Sequence, residues 1–547
     1  MNAHSCNFAK VFGNKGDMHH VLPHFQREYR WSEHNWRTLW DDAIQTYNAL
    51  PSVTGTKRAP EHFLGALVTI PVGTQQGTVP VHRLVDGQQR LTTLSLLLYA
   101  LAVTIQERSP KLASRIRSLL LNSDIETDLR FKVLPTNKNN DRAIYCAIVE
   151  GKPIPNGNSN ALPAFEFFQK QITAALATNQ ITPEGLFEVL TSSFQVVWVE
   201  LDKDENAYQI FESLNTKGEK LGEADLVRNY IAMRLPAEKQ EKVFEEVWAP
   251  IESLLDEQRG IGRSGIGELT GFLRHFDASQ TGGLSPKNKT YARFRDTHKM
   301  RGDEDFLDAL YDLKRFAALY EGLLRPDKGV EPKVRTALER LNALDISVAY
   351  PFLLAVSDHY QRNLLASKDF VDACDALENY FVRCFLTNVK SSAYDKVLAG
   401  LALKIDWNDF IPSLKKHLLE NQFPSDAKIR QIFPTRELYD KSASKEKTVM
   451  LLERLNAHLY AGSDVKTVLD GNPTLEHILP QSLSHWWKTE LGSDAESISR
   501  EWKHTIGNLT LVTQSYNSSL SNDSFPEKQT KLKAHGLKLN SIYFDQS

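Results

Sequence analysis

A multidomain α+β chain, mostly helical, is the fold class that the sequence predicts, and three observations carry it. The 547 residues exceed what one hydrophobic core organises; at roughly 150 residues per domain they suggest three or four cooperating units. Short apolar runs rich in β-branched residues alternate with helical patterns from about residue 20 to 235, and helical periodicity alone continues from there to about 425. Apolar residues make up 41% and charged residues 24%, with 28 Gly and 23 Pro, a globular composition that excludes a fibrous repeat or a disordered chain.

Taken in order, FLGALVTI (63–70), VHRLV (81–85) and FQVVWVEL (194–201) each run into polar turn residues and read as strands, which makes 1–235 a mixed α/β domain. Residues 236–425 read as a helical middle domain. Val243, Phe244, Val247, Trp248, Ile251, Leu254 and Leu255 form one stripe of helical spacing, and Phe306, Leu307, Leu310, Leu313, Phe316, Leu319 and Leu323 another. The break TGGLSPKNK (281–289) reads as an exposed loop. A third domain, 426–547, carries two strand-like runs, TLEHILP and NLTLVT, followed by a polar helix. GIGRSG (260–265) fits GxGxxG but follows a helical stripe instead of a strand, so it reads as a loop, and no GxxxxGK[ST] sequence occurs.

Lys plus Arg (65) nearly balances Asp plus Glu (68), a net charge of -3, so no global field gathers polyanions and any grip on nucleic acid is local. The four cysteines, Cys6, Cys146, Cys374 and Cys384, form no CxxC pair; they read as buried thiols of a reducing compartment. The first residues lack the pattern of an export signal, and the longest apolar stretch, Leu94 to Ile105, is too short to span a bilayer. The expectation is a cytoplasmic protein with no membrane partner.

Chemistry-bearing residues cluster at both ends. Near the C-terminus stand Glu476 and His477 in LEHILPQ, Asn508 opening NLTLV, and Asn517 nine residues on. Hydrolysis of a phosphodiester needs a base for water, a cation for the charge on the leaving oxygen, and a group that aims the base. If 474–480 and 508–513 pair as a hairpin and a helix starts near 516, His477 and Asn517 face one cleft, where Glu476 and Asn517 would hold magnesium or manganese through oxygen. Each residue alone reads as an ordinary strand histidine or turn asparagine. Together they resemble the HNH, or ββα-metal, nuclease motif of modification-dependent restriction proteins. That resemblance places Glu476 and Asn517 on metal-ligand positions, His477 on the general base and Asn508 on the residue that orients it. A 30-residue insertion separates His477 from Asn508, and its Trp486, Trp487 and Trp502 read as local core.

Near the N-terminus, VHRLVDGQQRLTTLSLLLYAL reads as strand, tight turn and apolar helix. A glycine turn at a helix start exposes backbone N–H groups where the helix dipole favours an anion. Asp86 would face a cation, Arg90 a phosphate, and Gln88 and Gln89 a phosphate or water; DG is equally an ordinary hairpin turn. With PHFQREYRW (23–31), FLGALV (63–68) and IFESLNTKGEKLGEADLVRN (210–229), this segment resembles the N-terminal domain of the GmrSD family. The resemblance implies a ParB-like fold that binds and hydrolyses a nucleoside triphosphate (GTP, ATP or UTP). Asp86, Gly87, Gln88, Gln89 and Arg90 form its nucleotide motif, with Gln26, Arg27, Asn215 and Gly218 around them.

The two resemblances imply an NTP-regulated, metal-dependent endonuclease of anti-phage defence that cuts or nicks modified DNA, with a homodimer as a further expectation. Residues 431–547 carry 13 Lys plus Arg against 14 Asp plus Glu, a balance that fits a nuclease held inactive until gated. The rival readings are a ParB-like DNA-binding regulator with an inert HNH domain and a toxin nuclease indifferent to modification.

Overall fold

The structure is a computed structural model, and it describes residues 2–14, 16–23, 26–50, 60–75, 79–201, 222–261, 265–326, 330–390, 397–439, 445–460 and 473–545. The chain is multidomain α+β and mostly helical, and divides into two compact units, Met1–Trp248 and Ala249–Ser547.

In the first unit, the described strands are β1 (Asn2–Asn7), β2 (His19–Val21), β3 (His62–Gln75), β4 (Val79–Asp86), β5 (Val133–Leu134) and β6 (Phe194–Glu200), joined in one mixed sheet of order β1-β6-β3-β4-β2-β5. The β1/β6 and β3/β4 pairs are antiparallel, and β6/β3, β4/β2 and β2/β5 are parallel. The three runs read as strands lie in β3, β4 and β6. Their period of two sorts the residues between faces. Leu67, Leu84 and Trp198 join the main core, while Val68, Val85 and Val199 pack against Leu226 and Met233 of the helix Glu223–Arg234. Helix α1 (Gln88–Thr104) has no polar stripe, and Leu91 through Ala102 are all buried, as expected of a helix at the centre of a core.

Two histidines show what that burial does. His20 is fully buried with its Nε2 2.7 Å from the Val11 carbonyl, and burial pushes its pKa down to about 3. In the second unit His275, 2.7 Å from the Tyr320 hydroxyl, is likewise pushed down to about 3. Unfolded imidazoles titrate near ~6.5, so between there and about 3 the unfolded chain binds more protons than the folded one. The stability from these neutral imidazoles is present above the unfolded value and declines as pH falls. Urea midpoints should therefore drop between about pH 7.5 and about pH 5; a level or rising midpoint would contradict the neutral, buried state.

In the second unit the second predicted stripe is helix α2 (Asp303–Leu324), which buries Phe306, Leu310, Leu313, Phe316 and Leu323, with Leu307 and Leu319 half-buried at its margin. TGGLSPKNK is largely exposed, and Gly260–Ile261 pairs antiparallel with Ile266–Gly267, residues 262–264 of GIGRSG lying outside the described residues. Helices α3 (Pro332–Ala343), α4 (Ser367–Leu386) and α5 (Lys445–Leu459) meet at a charge network. Glu378, buried on α4, takes Arg340 Nε at 2.8 Å and Arg454 Nε at 2.7 Å on its two oxygens, and Asp375 takes Arg340 Nη2 at 2.5 Å. Leu386 of α4 shares a core with Leu438, Leu452, Leu475, Leu509 and Leu511. All four cysteines are unpaired. Among the described residues no helix is long and apolar enough to cross a membrane.

Candidate active site

Strand β7 (Pro473–His477) pairs antiparallel with β8 (Leu509–Thr513), Glu476 opposite Thr510 and His477 opposite Leu509. Helix α6 (Gln514–Leu520) follows directly, its first turn capped by the Thr513 side chain on the Tyr516 N–H. The pleat separates neighbours along the strand. Thr474 and Glu476 share a face with Val512, which packs on Leu520, Leu532 and Phe544. Leu475 and His477 share the other with Leu509 and Leu511, against Leu438 and Leu452.

Glu476 is buried, and its Oε1 accepts from Lys528 Nζ at 2.6 Å. Lys528, on helix α7 (Phe525–Lys533), is 0% exposed and donates also to the His477 carbonyl at 2.7 Å. Burial pushes the Glu476 carboxyl above its ordinary range, against the pull of Lys528. The His477 ring is 6% exposed, with Nε2 3.2 Å from His504 Nδ1 and Nδ1 3.5 Å from Gln481 Nε2. Tyr439 meets the His477 ring edge-on at 4.7 Å and lies nearly parallel to His504 at 5.4 Å. Burial, then the neighbouring His504, Lys528 and Lys503, push the His477 pKa down to about 4, so at neutral pH the ring holds a lone pair.

The asparagines act on the backbone. Asn508 accepts the Leu479 N–H at 2.6 Å and donates to the Leu479 carbonyl at 3.0 Å and the Lys503 carbonyl at 2.8 Å, so it holds the chain that carries the ring and not the ring itself. Asn517 donates to Thr474 Oγ1 at 3.2 Å and the Leu475 carbonyl at 3.0 Å, which docks α6 on the strand beside Glu476. Trp487 is buried, with its Nε1 donating to the Asp523 carbonyl, whereas Trp502 is 40% exposed.

At the other end of the sequence, Asp86 closes β4 and Gly87 turns the chain into α1 at φ +93°. A side chain there would meet Leu67 Cδ1 at 2.8 Å, so both the left-handed conformation and the space call for glycine. Gln89, buried, accepts the N–H groups of Arg30 (2.9 Å) and Trp31 (3.2 Å) and donates to the Glu28 carbonyl at 3.1 Å. Gln26 donates to the Val85 carbonyl at 3.0 Å. Arg90 donates to the Leu64 and Ala66 carbonyls at 3.1 and 2.6 Å and stands 3.7 Å from Asp86, both side chains partly exposed. The turn thus brings Asp86, Gly87, Gln89 and Arg90 together with Gln26, and ties the 26–31 segment and β3 to the start of α1. Gln88 is buried beside them, and Arg27 belongs to the segment that Gln26 and Gln89 fasten. Asn215 and Gly218 lie outside the described residues.

Two family models match the chain in this order: residues 8–232 fit the N-terminal domain of the GmrSD restriction endonuclease, and residues 423–545 fit the C-terminal domain of the GmrSD restriction endonucleases. The chain belongs to the GmrSD restriction endonuclease family. No curated protein matches it. As a GmrSD protein it is a restriction nuclease of phage defence, and DNA is its partner.

In this GmrSD chain the structure adds three residues that the sequence reading missed, Lys528, His504 and Tyr439. Of the two residues expected to hold a metal, Glu476 has its Oε1 engaged by the buried Lys528 ammonium at 2.6 Å, and Asn517 commits its amide nitrogen to β7. Among the described residues no group of three His, Cys, Asp or Glu stands where it could hold a metal.

Proposed function

We propose that this GmrSD protein is an NTP-regulated, metal-dependent endonuclease that cuts modified DNA at the β7–β8 hairpin. The observation that carries the reading is a buried, neutral imidazole, His477, next in sequence to a carboxylate, with Asn517 docked beside that carboxylate. In the proposed step His477 takes a proton from water as the water oxygen attacks phosphorus, the bond to the leaving sugar oxygen breaks, and solvent returns a proton to that oxygen. Glu476 and Asn517, on the face of β7 opposite the His477 ring, would hold a divalent ion for the charge on the leaving oxygen, which puts the phosphate at the end of the strand, where both faces can be reached. Lys528 holds the Glu476 carboxylate in place, and Asn508 holds the loop behind His477.

At the N-terminal turn, the first N–H groups of α1 with Asp86 and Arg90 are the proposed triphosphate contacts, since these two side chains remain partly exposed. The test uses the full-length chain on matched modified and unmodified phage DNA, with and without NTP and magnesium. Cutting is expected to need magnesium, to favour modified DNA and to respond to NTP, and Arg90→Ala should weaken NTP binding measured by calorimetry. Unchanged NTP affinity in Arg90→Ala would leave the turn a structural clasp. Equal, NTP-independent cutting of both DNAs would favour the toxin nuclease.

A further inference from the structure

We propose that Phe63 is the platform on which the base of the nucleotide stacks while its phosphates lie at the Gly87 turn. The proposal rests on the reading of that turn as a triphosphate site. Among the described residues of the first unit the exposed large apolar side chains are Phe63, Val72 and Ile154, and of these Phe63 is the aromatic one, 60% exposed. An aromatic ring held in water offers a flat face that any nucleobase can cover. Its place follows from the strand register. Along β6, Phe63 pairs with Gln195, Ala66 with Val197 and Val68 with Val199, so a bulge at Leu64 and Gly65 takes up one extra residue. In an unbroken strand Phe63 and Val68, five residues apart, would point to opposite faces; the bulge brings them to the same one. Val68 in turn stands opposite Asp86 on β4. Phe63 and Asp86 therefore share a face of the sheet.

Arg90 ties this bulge to the turn. Its Nη1 donates to the Leu64 carbonyl at 3.1 Å and its Nη2 to the Ala66 carbonyl at 2.6 Å, and the guanidinium fills the place that a side chain on Gly65 would take. Gly65 also has φ +111°, so glycine is what lets the bulge and Arg90 meet. Leu64 follows Phe63 directly, so the ring is carried one residue, ~3.8 Å of chain, from the carbonyl that holds Arg90. The sugar of a nucleotide spans such a step between phosphate and base. A second residue points to a nucleoside and not to bare phosphate. Gln88 opens α1 and is 7% exposed, yet its amide oxygen meets no donor among the described residues. A buried acceptor calls for a donor. The phosphates of a nucleotide accept at neutral pH, whereas its sugar hydroxyls can donate.

The test is titration calorimetry of the full-length chain with GTP, ATP and UTP, and with inorganic tripolyphosphate, which has no base. Phe63→Ala and Phe63→Leu should bind the preferred nucleoside triphosphate about 5- to 100-fold more weakly than the wild type, the range for loss of one base–aromatic stack. Phe63→Trp should bind it at least as tightly as the wild type. Tripolyphosphate should bind the wild type and Phe63→Ala alike. Circular dichroism and melting curves confirm that each variant is folded. Unchanged nucleotide affinity in Phe63→Ala, a Phe63→Trp variant as weak as Phe63→Ala, or tripolyphosphate weakened by the same factor as the nucleotide would overturn the proposal. A wild-type chain that binds no nucleotide removes the triphosphate site and the proposal together. Nucleotide binding that Arg90→Ala weakens and Phe63→Ala leaves unchanged removes the proposal alone.

Discussion

His477→Ala should abolish DNA cleavage while leaving the fold and the N-terminal unit intact. The imidazole is unprotonated at neutral pH, because burial and nearby positive charge push its pKa down to about 4. Without it water must attack unaided, and general-base catalysis typically supplies ~10² to 10⁴-fold in rate. The side chain packs against Tyr439 and His504, so the cavity left by alanine also costs some stability. The measurement is therefore single-turnover cleavage at a temperature where the variant's circular dichroism matches the wild type. A rate within a factor of about three of wild type would sink the assignment of the base.

The largest loss of stability is expected from Lys528→Met. Lys528 is wholly buried and meets the buried Glu476 at 2.6 Å, so removing the ammonium strands a carboxylate among Val512, Leu520 and Leu532. Breaking one half of a buried pair costs about 3 to 5 kcal/mol, whereas replacing both halves with uncharged groups costs much less. Protonation of the stranded carboxyl limits the loss at acid pH, so the deficit should widen as pH rises. Adding Glu476→Gln to Lys528→Met should restore most of the denaturation midpoint. A single variant as stable as the wild type, or a double variant no better than the single, would show that the pair is not what holds α7 to the hairpin.

The parts of this fold that could be read from the sequence are those set by local spacing. β3, β4 and β6 follow their β-branched runs, α2 follows its stripe, and the hairpin of Glu476 and His477 follows from two short apolar runs on either side of a long insertion. Partners far along the chain were hidden. Lys528 sits 52 residues past Glu476 in FPEKQTKLK, which looks like any solvated helix face. Gln89, in the turn, and Gln26, through the family resemblance, were expected around a phosphate, yet each bonds backbone about 60 residues away, a pairing that only the assembled sheet creates. Asn508 was expected to orient the base, and its bonds go instead to the chain, a contact that depends on where Leu479 and Lys503 converge.

The charge network on Glu378 and the shared position of Leu386 bear on how such an enzyme could be broken. A proteolytic nick or a premature restart of translation near residue 425 would yield a piece carrying Glu476, His477, Asn508 and Asn517 entire. That piece would lack Leu386 from the floor beneath Leu475 and Leu509, and its Arg454 would have lost both acidic partners. The hairpin's support is thus partly supplied by α4, from the helical stretch before it. A fragment holding Glu476, His477, Asn508 and Asn517 is consequently a damaged scaffold, and it should unfold at a lower denaturant concentration than the same segment within the full-length chain.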